Sequence, residues 1–397
     1  MKRSSIALLL VTLFLVFMSN SCDEKIPKPA YSLDGDFATN IFKAILNSEA
    51  EDKNVVISPL SISTVTKMIL AGADENTKSE IEDAYGKNVS SKQLVEDAEN
   101  YLNWLKNREG SPIIELSNAF FYDKDNFNPL TTYKASLSQY FNASEFAEDF
   151  SNEEKALASL NGWVSEKTNE RIPKILETIN PDEVMFLVNA LYLKADWKEG
   201  FVEDYTQPAD FTLTNGNTSK VDMMYADRTI NYFGDNDLEA IEIPYKDDEI
   251  SMYLFRPKDG DLDGLISDFN FSKFDKISAE MKASRYMVYV PKFKVKYKNE
   301  EVKNSLMQLG IKDAFSNGAN LSNMAEEKNI SISRVVHKTY LSIDEKGTEG
   351  AAVTVGGVVL TSLPPKVAFN SPFVFVIADN QSKNMLFMGR ISNPSED

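Results

Sequence analysis

Two residue types that carry most hydrolytic and metal chemistry occur once each in this 397-residue chain: one histidine, His337, and one cysteine, Cys22. A metal centre built on clustered histidines is therefore excluded. A Ser–His or Cys–His hydrolase would need His337 as its base, yet His337 follows "SRVV", the setting of a satisfied core histidine. The 60 acidic residues leave paired-carboxylate chemistry open, but no compact acidic motif stands out. Neither a cofactor nor a metal is implied. The unusual tract is "IDEKGTEGAAVTVGGVVLTSLPPKVAFN", residues 343–370. After a charged start it is small and apolar, with Glu349 the one charge between Gly347 and Pro365. Its Val and Thr favour strands while its Gly and Ala do not, and Pro364-Pro365 ends it.

The rest of the chain must position that tract. An apolar share of 43% suffices for a globular core. The dispersed net charge of −18 disfavours nucleic acid as a partner. Lys2 and Arg3 precede the apolar run Ile6–Phe17, which is short for a bilayer span and reads as a secretory signal. Cys22 follows Ser19, Asn20 and Ser21, which resembles a bacterial lipoprotein signal in which the cysteine is lipidated and becomes the first residue. Ser19 departs from the leucine usual there, and an ordinary signal peptide with an incidental cysteine is the alternative. Removing residues 1–21 takes away two positive charges and no acids, so −18 becomes −20. Residues 22–31 then form a Pro-containing tether. With one cysteine, no disulfide within the chain is available.

Periodicity predicts a helix over Asp36–Leu46 capped by Asp36, and a buried helix over Ser58–Ala73 with Pro59 in its first turn. A further amphipathic helix covers Ser151–Glu170. Ile113–Tyr122 reads as a strand, and the apolar run Val184–Trp197 as a central strand buried on both faces. Asn215-Gly216 marks a hairpin within Asp210–Met224. Ile241–Pro257 reads as a second hairpin, Ser284–Lys298 as another strand pair, and Pro372–Pro394 as a closing hairpin. With helices crowding the first half, strands the second, and no composition shift, these elements make one mixed α+β domain over 32–397.

Five segments, "NVVISPLSIS", "LNGWVSEKTNERI", "VNALYLKADWKEGF", "IDEKGTEGAA" and "PFVFVIADNQSKNMLFMGRISNP", resemble the successive signatures of the serpins, in the family's order. The resemblance spans Phe37 to Pro394. It implies the serpin fold: a large mixed central sheet, two smaller sheets, and an exposed reactive-centre loop near the C-terminus, here about 345–365. It also implies a suicide inhibitor of proteases. A protease cleaves the loop and forms an acyl-enzyme, then the loop inserts into the central sheet and the trapped protease is distorted.

In the family's register the scissile bond falls at Thr361–Ser362, with Val358, Val359 and Leu360 filling neighbouring subsites. The hinge comprises Glu345, Gly347, Thr348, Glu349, Gly350, Ala351 and Ala352. Ser58, Ser61, Asn189 and His337 match a buried polar cluster, the shutter. Trp197, Lys292 and Glu345 match the breach, where the loop first enters, with Lys292–Glu345 as a latch ion pair. Strand alternation puts Thr348, Gly350 and Ala352 on one face and Glu349 on the other, so keeping Glu349 in water turns Thr348 inward. Fourteen inserted residues would span about 46 Å. At roughly 1 kcal/mol per added hydrogen bond, insertion would gain about 10 kcal/mol or more.

The implied partner is a protease. Small Thr361, with no Lys or Arg between Gly347 and Pro365, favours elastase-like or subtilisin-like serine proteases over trypsin-like ones. Chymotrypsin-like targets stay open, and Leu360 also suits papain-like cysteine proteases. Inhibitory members favour alanine where Gly350 stands, and Gly356-Gly357 is unusual, so a non-inhibitory serpin with a binding role is the alternative. The protein is expected to be monomeric, exported, and attached to the bacterial outer membrane or cell surface by its lipid alone, or otherwise secreted.

Overall fold

The computed structural model describes residues 31–108, 112–246, 248–327, 329–349 and 364–396. Cys22, the signal segment and loop residues 350–363, including Gly350, Ala351, Ala352, Val358, Val359, Leu360, Thr361 and Ser362, lie outside the described residues. No helix among those described is long and apolar enough to cross a membrane.

The helices are α1 (Gly35–Leu46), α2 (Pro59–Gly72), α3 (Glu75–Tyr85), α4 (Ser91–Lys106), α5 (Thr131–Phe141), α6 (Glu153–Lys167), α7 (Leu262–Asp268), α8 (Phe271–Glu280) and α9 (Val302–Gln308). The first eight strands are β1 (Val55–Ile57), β2 (Ile113–Asp123), β3 (Ser144–Glu148), β4 (Met185–Asp196), β5 (Gln207–Thr212), β6 (Thr218–Gly234), β7 (Leu238–Pro244) and β8 (Ile250–Pro257). Seven more follow: β9 (Lys282–Pro291), β10 (Phe293–Asn299), β11 (His337–Ile343), β12 (Gly347–Thr348), β13 (Lys366–Ala368), β14 (Phe373–Asp379) and β15 (Met385–Ile391). The α+β class read from the sequence is what the chain adopts.

Two sheets carry the molecule. Six strands run in the order β10-β11-β12-β4-β2-β3, and nine follow the path β1-β15-β14-β8-β7-β6-β9-β13 with β5 beside β6. The two smaller sheets expected from the sequence are continuous here, because the 17-residue β6 pairs with β7 through its last residues and with β9 along most of its length. The hairpins β5–β6, β7–β8 and β14–β15 form where turn residues call for them, and Gly216 takes the positive φ its turn needs.

Three local readings change. The Ser284–Lys298 segment is not a strand pair: β9 and β10 belong to different sheets, the chain crossing between them at Pro291–Lys292, where proline removes a ladder donor. β4 is covered on both faces but unevenly: Phe186, Val188 and Ala190 are buried in one cluster, while Met185, Leu187 and Leu191 are only half-buried against the main core. Asp36 does not cap α1. Asp34 occupies that place without a side-chain cap bond; it accepts from Ser63 and pairs with buried Lys67 at 2.7 Å. Lys67 also meets Asp97 at 3.2 Å, so a buried charge triad ties α1, α2 and α4 together. By contrast Ser58 caps α2 as expected, accepting from the Ser61 N–H with Pro59 in the first turn.

Candidate functional site: a slot in the six-stranded sheet

β4 pairs with β2 along ten residues, Met185 to Lys194. On its other side only Ala195 and Asp196 find partners, Thr348 and Gly347 of β12. β11 pairs with β10 over its full length, and on its free side Ile343 alone meets Thr348. Both β4 and β11 run antiparallel to β12, so they run parallel to each other, and among the described residues no register joins them directly. The result is a slot between β4 and β11 whose upper end holds two residues of the tract at 343–370.

Those two residues are fixed by sequence. Asp344 folds the approach: its carboxylate accepts the N–H groups of Lys346 (2.8 Å) and Gly347 (3.2 Å). Gly347 sits at φ +147, and a Cβ there would lie 2.0 Å from the Ala195 carbonyl oxygen, so only glycine fits. Thr348 is buried, its hydroxyl 2.7 Å from that of Tyr245, which is fully enclosed. Tyr245 stacks on Trp197 at 4.4 Å, and burial pushes its hydroxyl pKa well above the ordinary range. Trp197 donates its indole N–H to the Asp344 carbonyl (2.9 Å) and its backbone N–H to that of Lys346 (2.8 Å).

Glu345 ties the same turn to the rest of the protein. It meets Lys292 at 3.0 Å and accepts from the Thr206 hydroxyl at 2.7 Å. Burial opposes its charge, but the Thr206 hydroxyl, its own backbone N–H and Lys292 outweigh that and hold its carboxyl below the usual value. Trp197, Lys292 and Glu345 are thus brought together at the mouth of the slot.

Glu349 does not stay in water. Its side chain is only 9% exposed, because Arg171, beyond the end of α6, pairs with it at 2.6 Å. The Tyr192 hydroxyl of β4 also donates to it at 3.0 Å. The Arg171 guanidinium lies over the ring of Tyr340 on β11, 5.3 Å from its centre. One carboxylate is therefore held by Tyr192 from one lip and by Arg171, which rests on Tyr340 of the other. Alternation put Glu349 on the outer face, but it could not show that a cation waits there. Glu349 takes a positive φ of 57, so the extended run ends after two residues.

The lower slot is different. Residues 330–336 approach β11 without joining a ladder. Between them and the first half of β4 lies a cavity of about 110 Å³, lined in part by Ser61, Asn189 and His337. His337 is buried, and its Nε2 accepts the Ser58 N–H at 3.0 Å. That bond requires an unprotonated Nε2, and burial lowers the imidazole pKa to about 4. Asn189 does not join the Ser58–Ser61–His337 chain. It donates to Asn118 at 2.7 Å, while its own Oδ1 is buried without a hydrogen-bond partner. The four residues expected to form one bonded cluster therefore divide into a bonded trio and an asparagine across the cavity.

Sequence reasoning missed Arg171, Tyr192, Tyr245 and Thr206. Arg171 stood in the "NERI" of a quoted signature, but only the folded chain sets it against Glu349.

The family model for the serpins, described as serine protease inhibitors, matches residues 32–394. This chain belongs to the serpin family. It is 32% identical to the leukocyte elastase inhibitor of Equus caballus over 377 residues, covering 90% of this chain and 97% of that one. It is 30% identical to an uncharacterized serpin-like protein of Methanosarcina acetivorans over 365 residues, covering 90% and 84%. Among solved structures it resembles the thermophilic serpin tengpin in its native state (TM-score 0.83, 29% identity, 91% and 93% covered). It also resembles human thyroxine-binding globulin complexed with its hormone (TM-score 0.83, 26% identity, 92% and 98% covered). The serpin fold and a kinship with protease inhibitors are thereby established.

Proposed function

We propose that this serpin is an active suicide inhibitor. A serine protease, elastase-like or subtilisin-like, cleaves the loop at Thr361–Ser362 and is trapped as an acyl-enzyme when the loop runs into the slot. The observation that carries this reading is the seated hinge. Gly347 and Thr348 already form a strand between β11 and β4, and below them these two strands share no register. An added strand would supply backbone partners to both facing edges. It would also bring polar groups past the unpaired Asn189 oxygen. The test is to mix the mature protein with elastase-like, subtilisin-like and papain-like proteases. The expected result is an SDS-stable complex and, by mass spectrometry, cleavage after Thr361. Cleavage with no stable complex under any of them would overturn it.

A second reading, a non-inhibitory serpin with a binding role, draws on Gly350 and Gly356-Gly357, which raise the entropy lost on insertion. The thyroxine-binding neighbour supports it too. It predicts cleavage without trapping in the same assay. For location, we propose export and lipid attachment at Cys22, acting as a monomer. Cys22→Ala should then leave the envelope fraction, and unchanged fractionation would refute the anchor.

A further inference from the structure

Outside the slot, one exposed cluster has no part in the machinery described above. Tyr205, 57% exposed, ends a short helical turn, Glu203–Tyr205. Its ring meets that of Tyr225 edge-on at 6.1 Å, and Tyr225 meets its cross-strand partner Tyr289 at 5.1 Å. The three rings, with Asp204, line an open pocket of about 360 Å³. Among the described residues no cation pairs with Asp204. The cluster already holds one ammonium, since Lys366 lies over the Tyr289 ring, 4.6 Å from its centre.

Its position is the second observation. Both described ends of the reactive loop are fastened beside it. On the hinge side Lys346 pairs with Glu203 at 3.1 Å and Glu345 accepts from Thr206. On the far side β13 runs parallel to β9, Ala368 opposite Tyr289, and the Pro365 carbonyl accepts from Met287. Thr361 lies five residues before Lys366, a reach of at most about 17 Å. A protease engaged at that bond would therefore lie within reach of these tyrosines.

We infer that Tyr205, Tyr225, Tyr289 and Asp204 form an accessory docking site that takes an arginine or lysine side chain from the rim of the target protease. Aromatic faces with a carboxylate at the lip attract a cation by both quadrupole and charge. Tyrosine is a favoured anchor at interfaces. The net charge of −18 draws a basic partner from a distance, an attraction that salt weakens. The site rests on the inhibitory reading but not on loop insertion, so it should set how fast a protease is captured and leave the outcome of capture alone.

The experiment uses the full mature chain and the protease that forms the stable complex. Tyr205→Lys and Asp204→Lys, both on an exposed turn, are compared with the parent for rate of complex formation, molar ratio at full inhibition and salt dependence. Each variant should associate about tenfold more slowly at low salt. The difference should shrink at high salt, with the ratio unchanged. Rates within twofold of the parent for both variants would overturn the docking site while leaving inhibition intact. A parent that traps no protease would instead refute the inhibitory reading, and this site with it.

Discussion

The two ends of the slot are built oppositely. At the mouth the turn is well bonded: the Asp344 carboxylate accepts two N–H groups, Trp197 donates to the Asp344 and Lys346 carbonyls, and the Thr348 hydroxyl finds that of Tyr245. At the foot, residues 330–336 and the start of β4 flank a cavity, and a buried amide oxygen goes without a partner. A buried unsatisfied polar atom and an unfilled volume both cost stability. On the proposed reading the drive for insertion is held at the foot, where among the described residues no strand pairs with the free edges of β4 and β11.

The largest expected effect comes from filling the foot. Cleavage anywhere in Gly356–Thr361 should let the loop continue past Thr348, adding hydrogen bonds to both lips. A gain of about 10 kcal/mol corresponds to a rise in the thermal midpoint of about 10 °C or more. Calorimetry before and after verified cleavage measures it. An unchanged midpoint would mean that the two ends of the slot differ for some reason other than a missing strand.

Next comes spoiling the mouth. Thr348→Arg removes the bond to Tyr245 and forces a cation into a site that is 2% exposed. An unpaired buried charge costs several kcal/mol. The hinge would be expelled and insertion slowed, while the scissile region, thirteen residues on, stays accessible. Deacylation should then outrun trapping, so the protein is cut at the same bond and the protease recovers. The readout is the molar ratio at full inhibition, which should rise several-fold. An unchanged ratio would argue for simple blocking of the protease instead.

A smaller effect separates the two ends by pH. The folded His337 value, about 4, lies below its ordinary 6.5, so the unfolded chain takes up the proton first as pH falls. Its contribution is complete above pH 6.5 and declines between 6.5 and about 4, amounting to about 2 kcal/mol by pH 5. Glu345 at the mouth is also lowered, from 4.5, so its contribution is present above pH 4.5 and fades below that. His337→Gln should therefore flatten the fall in thermal midpoint between pH 6.5 and 5 and leave the steeper fall below 4.5. If both proteins lose the same stability between 6.5 and 5, the foot of the slot does not titrate as its burial demands.

How much of this was legible in the sequence follows the same division. The mouth could be read almost residue by residue, because its parts are short-range and chemically particular: Asp344 to Gly347 form one turn, and Trp197 follows directly on β4. What escaped were partners set by the fold alone. Tyr245 follows β7 of the other sheet, and Arg171 lies beyond α6, so no local pattern tied either to the hinge. The foot was misjudged because residue types at matching positions do not fix which of them bond. Asn189 and Asn118 face each other across paired strands, and that register draws Asn189 away from His337.

The smallest effect concerns the clamp that joins the two ends. Glu349 is the last described hinge residue before the loop; Tyr192 of β4 bonds it, and so does Arg171, which itself lies over Tyr340 of β11. For the loop to travel down the slot, the backbone at Glu349 must leave its positive φ and become extended. Its carboxylate must shift with it. The clamp therefore acts as a brake as well as an anchor. Arg171 is 44% exposed, so the pair is worth under ~1 kcal/mol. Arg171→Ala should leave the thermal midpoint nearly unchanged and lower the barrier by a similar amount, speeding trapping about two- to fivefold. Rapid mixing with excess protease, followed by the appearance of the stable complex, measures that step apart from encounter. A slower step in Arg171→Ala would make the clamp a guide that the moving loop needs, and the mouth would then assist insertion beyond its first two residues.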